Sequence, residues 1–282
     1  MIRSAVGSDA LTTSPLAPNL RSMSERKRFF DENGYYLARS VYSAHEVAGL
    51  ESEFDRVVRQ LTESDTAISG PNANDDNGII STINVQQYSA YWMIHGLLQE
   101  RFLDIAEEFI GPDIVLQHSS LYEKRRATVV GPFRMHQDSS YVPTVNDTMI
   151  SGMICISEAT DKMGALRVYP GTHRSRMEDA VASDRGAAFH ERFPLDGSTV
   201  LETEPGDVVF FHYQTVHGSK SNQTDKPRKA VHVRLFSGQD RREDIYSQCE
   251  NLVLRGWNHH TNSTTAAKSV PRPAREEVKK PD

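Results

Sequence analysis

The sequence predicts a mainly β protein, an all-β barrel or sandwich that carries a few helices on its outside. Three observations predict it. Before residue 111, apolar residues recur at helical spacing in two separate stretches. From residue 114 onward the chain changes to short apolar-rich runs divided by turn residues, at 114–123, 129–138, 149–157, 165–169, 199–203, 207–212 and 228–237. The 282 residues are 38% hydrophobic and 25% charged, which is enough for one core of that kind in a single domain.

Taken in order, residues 1–22 are rich in Ser, Thr, Pro and Ala without periodicity and read as a flexible arm. Residues 24–33 form a short helix that Gly34 stops, and 35–38 follow as a strand. Ser43 and Glu46 have the spacing of a capping box. Behind them Val47, Leu50, Phe54, Val57, Val58 and Leu61 make the buried stripe of a second helix. Residues 63–78 carry Ser, Asn, Asp, Gly and Pro and are expected as a loop near a pocket. A third helix over 97–110 ends at Gly111-Pro112. The last stretch, 262–282, is polar and expected to be a disordered tail, leaving 23–261 as one domain.

A net charge of −6 and a pI near 6.0, with no basic stripe, argue against nucleic acid or an anionic membrane as the main partner. Two cysteines, Cys155 and Cys249, are too few for a disulfide framework and fit a reducing cytoplasm. No apolar run approaches a membrane span or the core of a signal peptide. The expectation is a soluble, cytoplasmic monomer or homodimer that acts on a small molecule.

The chemistry concentrates in two places. His136 and Asp138 stand two apart, so in extended backbone an imidazole and a carboxylate project from one face. Some eighty residues on, an apolar strand ends near His217-Gly218-Ser219, where a loop can swing an imidazole back toward the first pair. Two histidines and one carboxylate are the facial triad of non-haem iron(II) oxygenases, which leaves three coordination positions open for a 2-oxo acid and O2. The same donors also suit zinc. His212 is the rival third ligand, but it lies inside the apolar strand and lacks the Gly-Ser that follows His217. Arg228 begins the next strand, and a guanidinium fork there holds the far carboxylate of 2-oxoglutarate bidentately, with the Ser219 hydroxyl beside it. Arg134, His232 and Arg234 share strand parity with site residues, but surface salt bridging is the simpler reading for all three. His173 reads as an exposed turn residue, and Trp257 to His260 as either a cap on the site or the start of the tail.

These residues resemble the phytanoyl-CoA dioxygenase family of iron(II)/2-oxoglutarate-dependent oxygenases. The resemblance rests on His136-Gln137-Asp138, on the run from Gly164 to His173, on Pro205-Gly206-Asp207, and on His217-Gly-Ser-x-x-Asn222 with Arg228. It implies a double-stranded β-helix (a cupin-like jelly roll) with iron in its mouth. It implies His136, Asp138 and His217 as the catalytic metal ligands, and Arg228 with Ser219 as the co-substrate clamp. By the same resemblance His118 and Tyr122 fall where relatives place further co-substrate contacts. Phe133 and Cys155, on flanking strands, either wall the pocket or pack in the core. Relatives that halogenate replace the carboxylate ligand by a small residue, so the presence of Asp138 implies hydroxylation coupled to decarboxylation of 2-oxoglutarate to succinate and CO2. Desaturation, epimerisation and ring formation are the alternative outcomes of that chemistry. A redox-silent zinc hydrolase or binding module is the alternative from another class.

Overall fold

The computed structural model describes residues 23–63, 79–126, 133–181, 187–242 and 251–260. The expected arm over 1–22, the tail over 262–282 and nearly all of the 63–78 loop lie outside the described residues. In chain order the elements are α1 (Glu25–Asn33), β1 (Tyr35–Ala38), α2 (Ala44–Glu63), β2 (Ile79–Ile83), α3 (Glu100–Ile110), β3 (Ile114–Lys124), β4 (Phe133–His136), β5 (Ile150–Cys155), β6 (Leu166–Val168), α4 (Ala187–Arg192), β7 (Thr199–Leu201), β8 (Val208–His212), β9 (His217–Ser219), β10 (Arg228–Ser237) and β11 (Leu252–Arg255).

The early helices start and stop where local sequence dictates. Ser24 caps α1 by accepting from the Lys27 amide at 3.0 Å. The chain leaves α1 through Gly34 at φ 76°, whose N–H closes on the Phe30 carbonyl. The capping box at α2 is complete: the Ser43 amide donates to Glu46 Oε2 at 2.7 Å, and the Glu46 amide returns a bond to Ser43 Oγ at 3.3 Å. A π-helical stretch over Trp92–Leu97 precedes α3, which begins at Glu100, three residues later than the apolar pattern suggests.

Strands pair antiparallel throughout two sheets. The larger, seven-stranded sheet runs β1-β8-β5-β10-β3-β11, with β2 also on β3; the smaller runs β4-β9-β6-β7. This double-sheet arrangement is a jelly roll. Strand parity divides the core. On β8, Val208 and Phe210 face α2 and α3, joining Leu50, Phe54 and Phe102 in one apolar cluster. Val209 and Phe211 face the other way and pack with Met153, Cys155, Leu166 and Leu201 between the sheets. Both faces of these strands are covered, which is why 208–211 reads as an unbroken apolar run. β10 follows the same rule: Val231, Val233 and Leu235 join the helix-side cluster, while Arg228, Ala230, His232 and Arg234 point between the sheets.

Candidate active site

A cavity between the sheets is lined by His136, Asp138, His217, Ser219, Arg228 and Arg234 among others. Its first half is built on β4 and β9. The sequence places His217 in a loop past a strand end; instead it opens β9, a strand of the smaller sheet, and is the register partner of His136 on β4. The two imidazole centroids are 4.3 Å apart. The His136 Nδ1 lies 2.8 Å from the Arg134 carbonyl, and the His217 Nδ1 lies 2.9 Å from that of Thr215. A carbonyl only accepts, so each Nδ1 carries its proton and donates it. Each Nε2 is left with a bare lone pair aimed into the cavity. Burial, and then the neighbouring His136, lower the His217 pKa to about 4, which keeps that ring neutral near pH 7.

The strand ends at His136. Gln137 continues extended at φ −112° and ψ 135°, and Asp138 opens a 3-10 turn, so the carboxylate still comes round to the imidazole side. Gln137 turns away and is fully used. Its amide donates to the Ser175 and Gln214 carbonyls and accepts from the Met177 N–H, tying the turn to the loops behind it. The Asp138 Oδ1 stands 3.7 Å from His136 Nε2 and 3.9 Å from His217 Nε2. Burial alone would raise the Asp138 pKa. Arg234 beside it, with the surrounding histidines, holds the carboxyl well below its usual range instead. Arg234 makes a two-pronged bond, Nη2 to Oδ1 at 2.6 Å and Nε to Oδ2 at 3.2 Å.

The donor set fits a divalent metal. Two imidazole Nε2 atoms and one carboxylate oxygen lie within 4.8 Å of one another. Donors at about 2.1 Å from one ion and at right angles stand about 3 Å apart, so closing by about 1–2 Å brings these three to bonding geometry.

The opposite end of the cavity is a pair of buried cations. Lys124, the last residue of β3, is the register partner of Arg228, the first of β10. Lys124 Nζ donates to Ser219 Oγ at 2.7 Å and to the Lys220 carbonyl at 2.8 Å. Arg228 donates from Nη1 to the Gly164 carbonyl at 3.1 Å, and its Nε has no partner. Among the described residues neither cation meets a carboxylate. Burial and the adjacent Arg228 push the Lys124 pKa well down. Two positive side chains at 3% and 8% exposure with no anion between them are costly unless a ligand supplies one. Gly164 makes the approach possible: it sits at φ 74°, and a Cβ there would meet the Lys220 carbonyl oxygen at 2.3 Å.

The remaining residues singled out from the sequence divide cleanly by position. Tyr122 and Phe133 line the cavity, their rings 5.9 Å apart, and Phe133 lies under the Lys124 ammonium. His118 is further along β3, outside the lining, with Nδ1 bonded to the Gln117 side chain and its pKa lowered to about 3 by burial and by Arg234. Cys155 is buried in the apolar cluster between the sheets and is not part of the cavity wall. His212 points elsewhere, with Nε2 against the Asp147 carbonyl and Nδ1 accepting from the Gln214 amide. His173 lies 5.6 Å from His212 and bonds to the Asp31 carbonyl. Trp257 is exposed, and His259 pairs with Asp113 at the far edge of the large sheet.

Three residues carry more than the sequence suggested. His232 and Arg234 are not surface salt-bridge formers: both are cavity wall, and both face Asp138. The alternation of Arg, His and Arg at 228, 232 and 234 was the available signal. Lys124 needed the β3–β10 register before its place beside Arg228 could be seen.

The family model for phytanoyl-CoA dioxygenase matches residues 30–230. The peroxisomal phytanoyl-CoA dioxygenase of Mus musculus is 26% identical over 250 residues, covering 82% of this chain and 73% of that protein. Among solved structures, EctD from S. alaskensis with bound Fe superposes with a TM-score of 0.66 at 24% identity, covering 83% of this chain and 84% of that one. The epimerase SnoN in complex with Fe3+, alpha ketoglutarate and nogalamycin RO superposes at 0.64 and 19% identity, covering 82% and 93%. These likenesses establish the fold, and the match over most of the chain establishes the lineage. The chain belongs to the phytanoyl-CoA dioxygenase family and is an iron- and 2-oxoglutarate-dependent oxygenase.

Proposed function

We propose that the protein hydroxylates a small molecule in specialised metabolism, with 2-oxoglutarate decarboxylated to succinate and CO2. One observation carries the reading: a single cavity has a metal-donor triad at one end and a bare buried cation pair at the other. In this reading His136, Asp138 and His217 hold the iron on one face. When bound, the iron and the oxo acid supply the oxidising chemistry. Everything else falls to the chain. Arg228 and Lys124, with Ser219 bonded to Lys124 in the same wall, take the far carboxylate of 2-oxoglutarate and fix its distance from the metal. The backbone carbonyls of Arg134 and Thr215 fix the two imidazole tautomers. Phe133, Met153, Leu166 and Phe211 wall the co-substrate in apolar surface and exclude water. A zinc hydrolase has no use for a buried cation pair at that place, which counts against the zinc reading. No helix among the described residues is long and apolar enough to cross a membrane, and a cytoplasmic setting is part of the proposal.

The test is anaerobic titration with iron(II) and 2-oxoglutarate. The weak visible charge-transfer band of an iron–oxo acid chelate is expected in the parent and lost in Arg228→Ala at matched ligand concentration. A parent that gives no band refutes the assignment and returns the donor set to zinc. Mass spectrometry of substrates that stimulate succinate formation then separates the outcomes. A gain of one oxygen atom is hydroxylation, a loss of two hydrogens is desaturation or ring closure, and an isomer of unchanged mass is epimerisation.

A further inference from the structure

The inner face of β10 presents Arg228, Ala230, His232 and Arg234 to one cavity. Same-face residues step about 6.6 Å along a strand, so the backbones of Arg228 and Arg234 are about 20 Å apart. A five-carbon diacid spans only about 5 Å between its end carbons. With its far carboxylate on Arg228 and Lys124, it reaches the metal donors and ends there. Arg234 stands on the other flank of Asp138, bonded to it through Nε and Nη2, which leaves its Nη1 unused by that pair. Beside it is His232, 5% exposed and stacked flat on Phe211 at 5.8 Å. Its Nε2 has no hydrogen-bond partner, and Asp138 Oδ2 is 3.9 Å away. A buried ring nitrogen without a partner calls for an explanation, and in a cavity wall beside a guanidinium an acceptor on a bound ligand supplies one. Charge points the same way. With a divalent metal and a dianionic co-substrate in place, Lys124, Arg228 and Arg234 against Asp138 leave the enclosed wall net positive.

We propose that Arg234 and His232 form a second anion-docking subsite, on the flank of Asp138 away from Lys124 and Arg228, that holds a carboxylate of the primary substrate. The inference rests on the oxygenase reading above and narrows its substrate to a carboxylic acid. A carboxylate there accepts from Arg234 Nη1 and from His232 Nε2, which ends the histidine's unpartnered state. It also fixes the substrate carbon to be oxidised by its distance from the acid group.

The experiment uses the full chain loaded with Mn(II) and saturating 2-oxoglutarate, where no turnover occurs. Propionate is the probe, propionamide its uncharged control, and proton relaxation by the bound ion the readout. Propionate is expected to be relaxed saturably while 2-oxoglutarate stays bound, and propionamide is not. Each of Arg234→Gln and His232→Phe is expected to weaken propionate about tenfold or more. Because Arg234 also holds Asp138, His232→Phe is the variant that keeps the test open if Arg234→Gln loses the metal. The inference is overturned if propionamide is relaxed as well as propionate, or if propionate displaces 2-oxoglutarate. Propionate binding that His232→Phe leaves unchanged overturns it too, because the probe then sits on the ion alone. A parent in which 2-oxoglutarate itself is not relaxed takes down the oxygenase reading and this inference together.

Discussion

Replacing Lys124 by methionine keeps the stem that packs over Phe133 and removes one buried charge. The consequences for folding and for binding have opposite signs. In the ligand-free protein the ammonium is desolvated beside Arg228 without a carboxylate, so its loss relieves a cost. Against this, Ser219 Oγ and the Lys220 carbonyl each lose a partner, at about 1 kcal/mol or more apiece. The two effects offset, and the melting temperature of the ligand-free variant should stay within about 2 °C of the parent. Binding is different, because in the proposed clamp 2-oxoglutarate loses a charge-assisted hydrogen bond in a water-poor pocket, worth about 1.5–3 kcal/mol. The dissociation constant should therefore rise roughly 10- to 150-fold. Anaerobic titration of the iron-loaded protein measures the second quantity, and calorimetry of the metal-free protein the first. Unchanged 2-oxoglutarate affinity would refute the clamp. A large drop in melting temperature with a parallel loss of binding would make Lys124 a structural residue only.

Asp138→Ala removes the ionised donor and leaves Arg234 buried without its partner, so tight iron binding should disappear, as read by metal analysis after desalting; retained iron would exclude the triad. Acid should destabilise the metal-free fold through His212, whose pKa is lowered to about 4 by burial while the unfolded chain titrates near 6.5. Between those values the unfolded state binds the extra proton, so stability is full above about pH 6.5 and falls toward pH 4 by up to about 1.4 kcal/mol per unit from this group. Urea unfolding across that range should show His212→Phe with a shallower slope, and an identical slope would clear His212 of any part in the acid sensitivity. Gly164→Ala forces a Cβ into the Lys220 carbonyl at a positive φ and should cost more than about 1 kcal/mol while loosening Lys124, so melting temperature and 2-oxoglutarate affinity fall together. Unchanged 2-oxoglutarate affinity in that variant would show that the loop does not support the clamp.

Much of this protein is written in local pattern. The caps at Ser24 and Ser43, the stripe from Val47 to Leu61 and the run over 208–212 each follow from a few neighbouring residues, because capping and amphipathic periodicity are short-range physics. His136, Asp138 and His217 were legible for a related reason, since few other chemistries need that set of donor types at that spacing. What the chain alone left open was decided by pairing. His217 faces His136 because β9 joins the smaller sheet, and no residue near 217 states which strand it will meet. Lys124 meets Arg228 across a register that spans about a hundred residues of sequence. His232 and Arg234 look like ordinary polar residues on a strand until the second sheet closes over that face and takes their water away. Residue type and spacing thus set which groups this protein has for its chemistry. Long-range strand pairing set which of them are buried together, and burial is what turns a charge or an imidazole into part of a site.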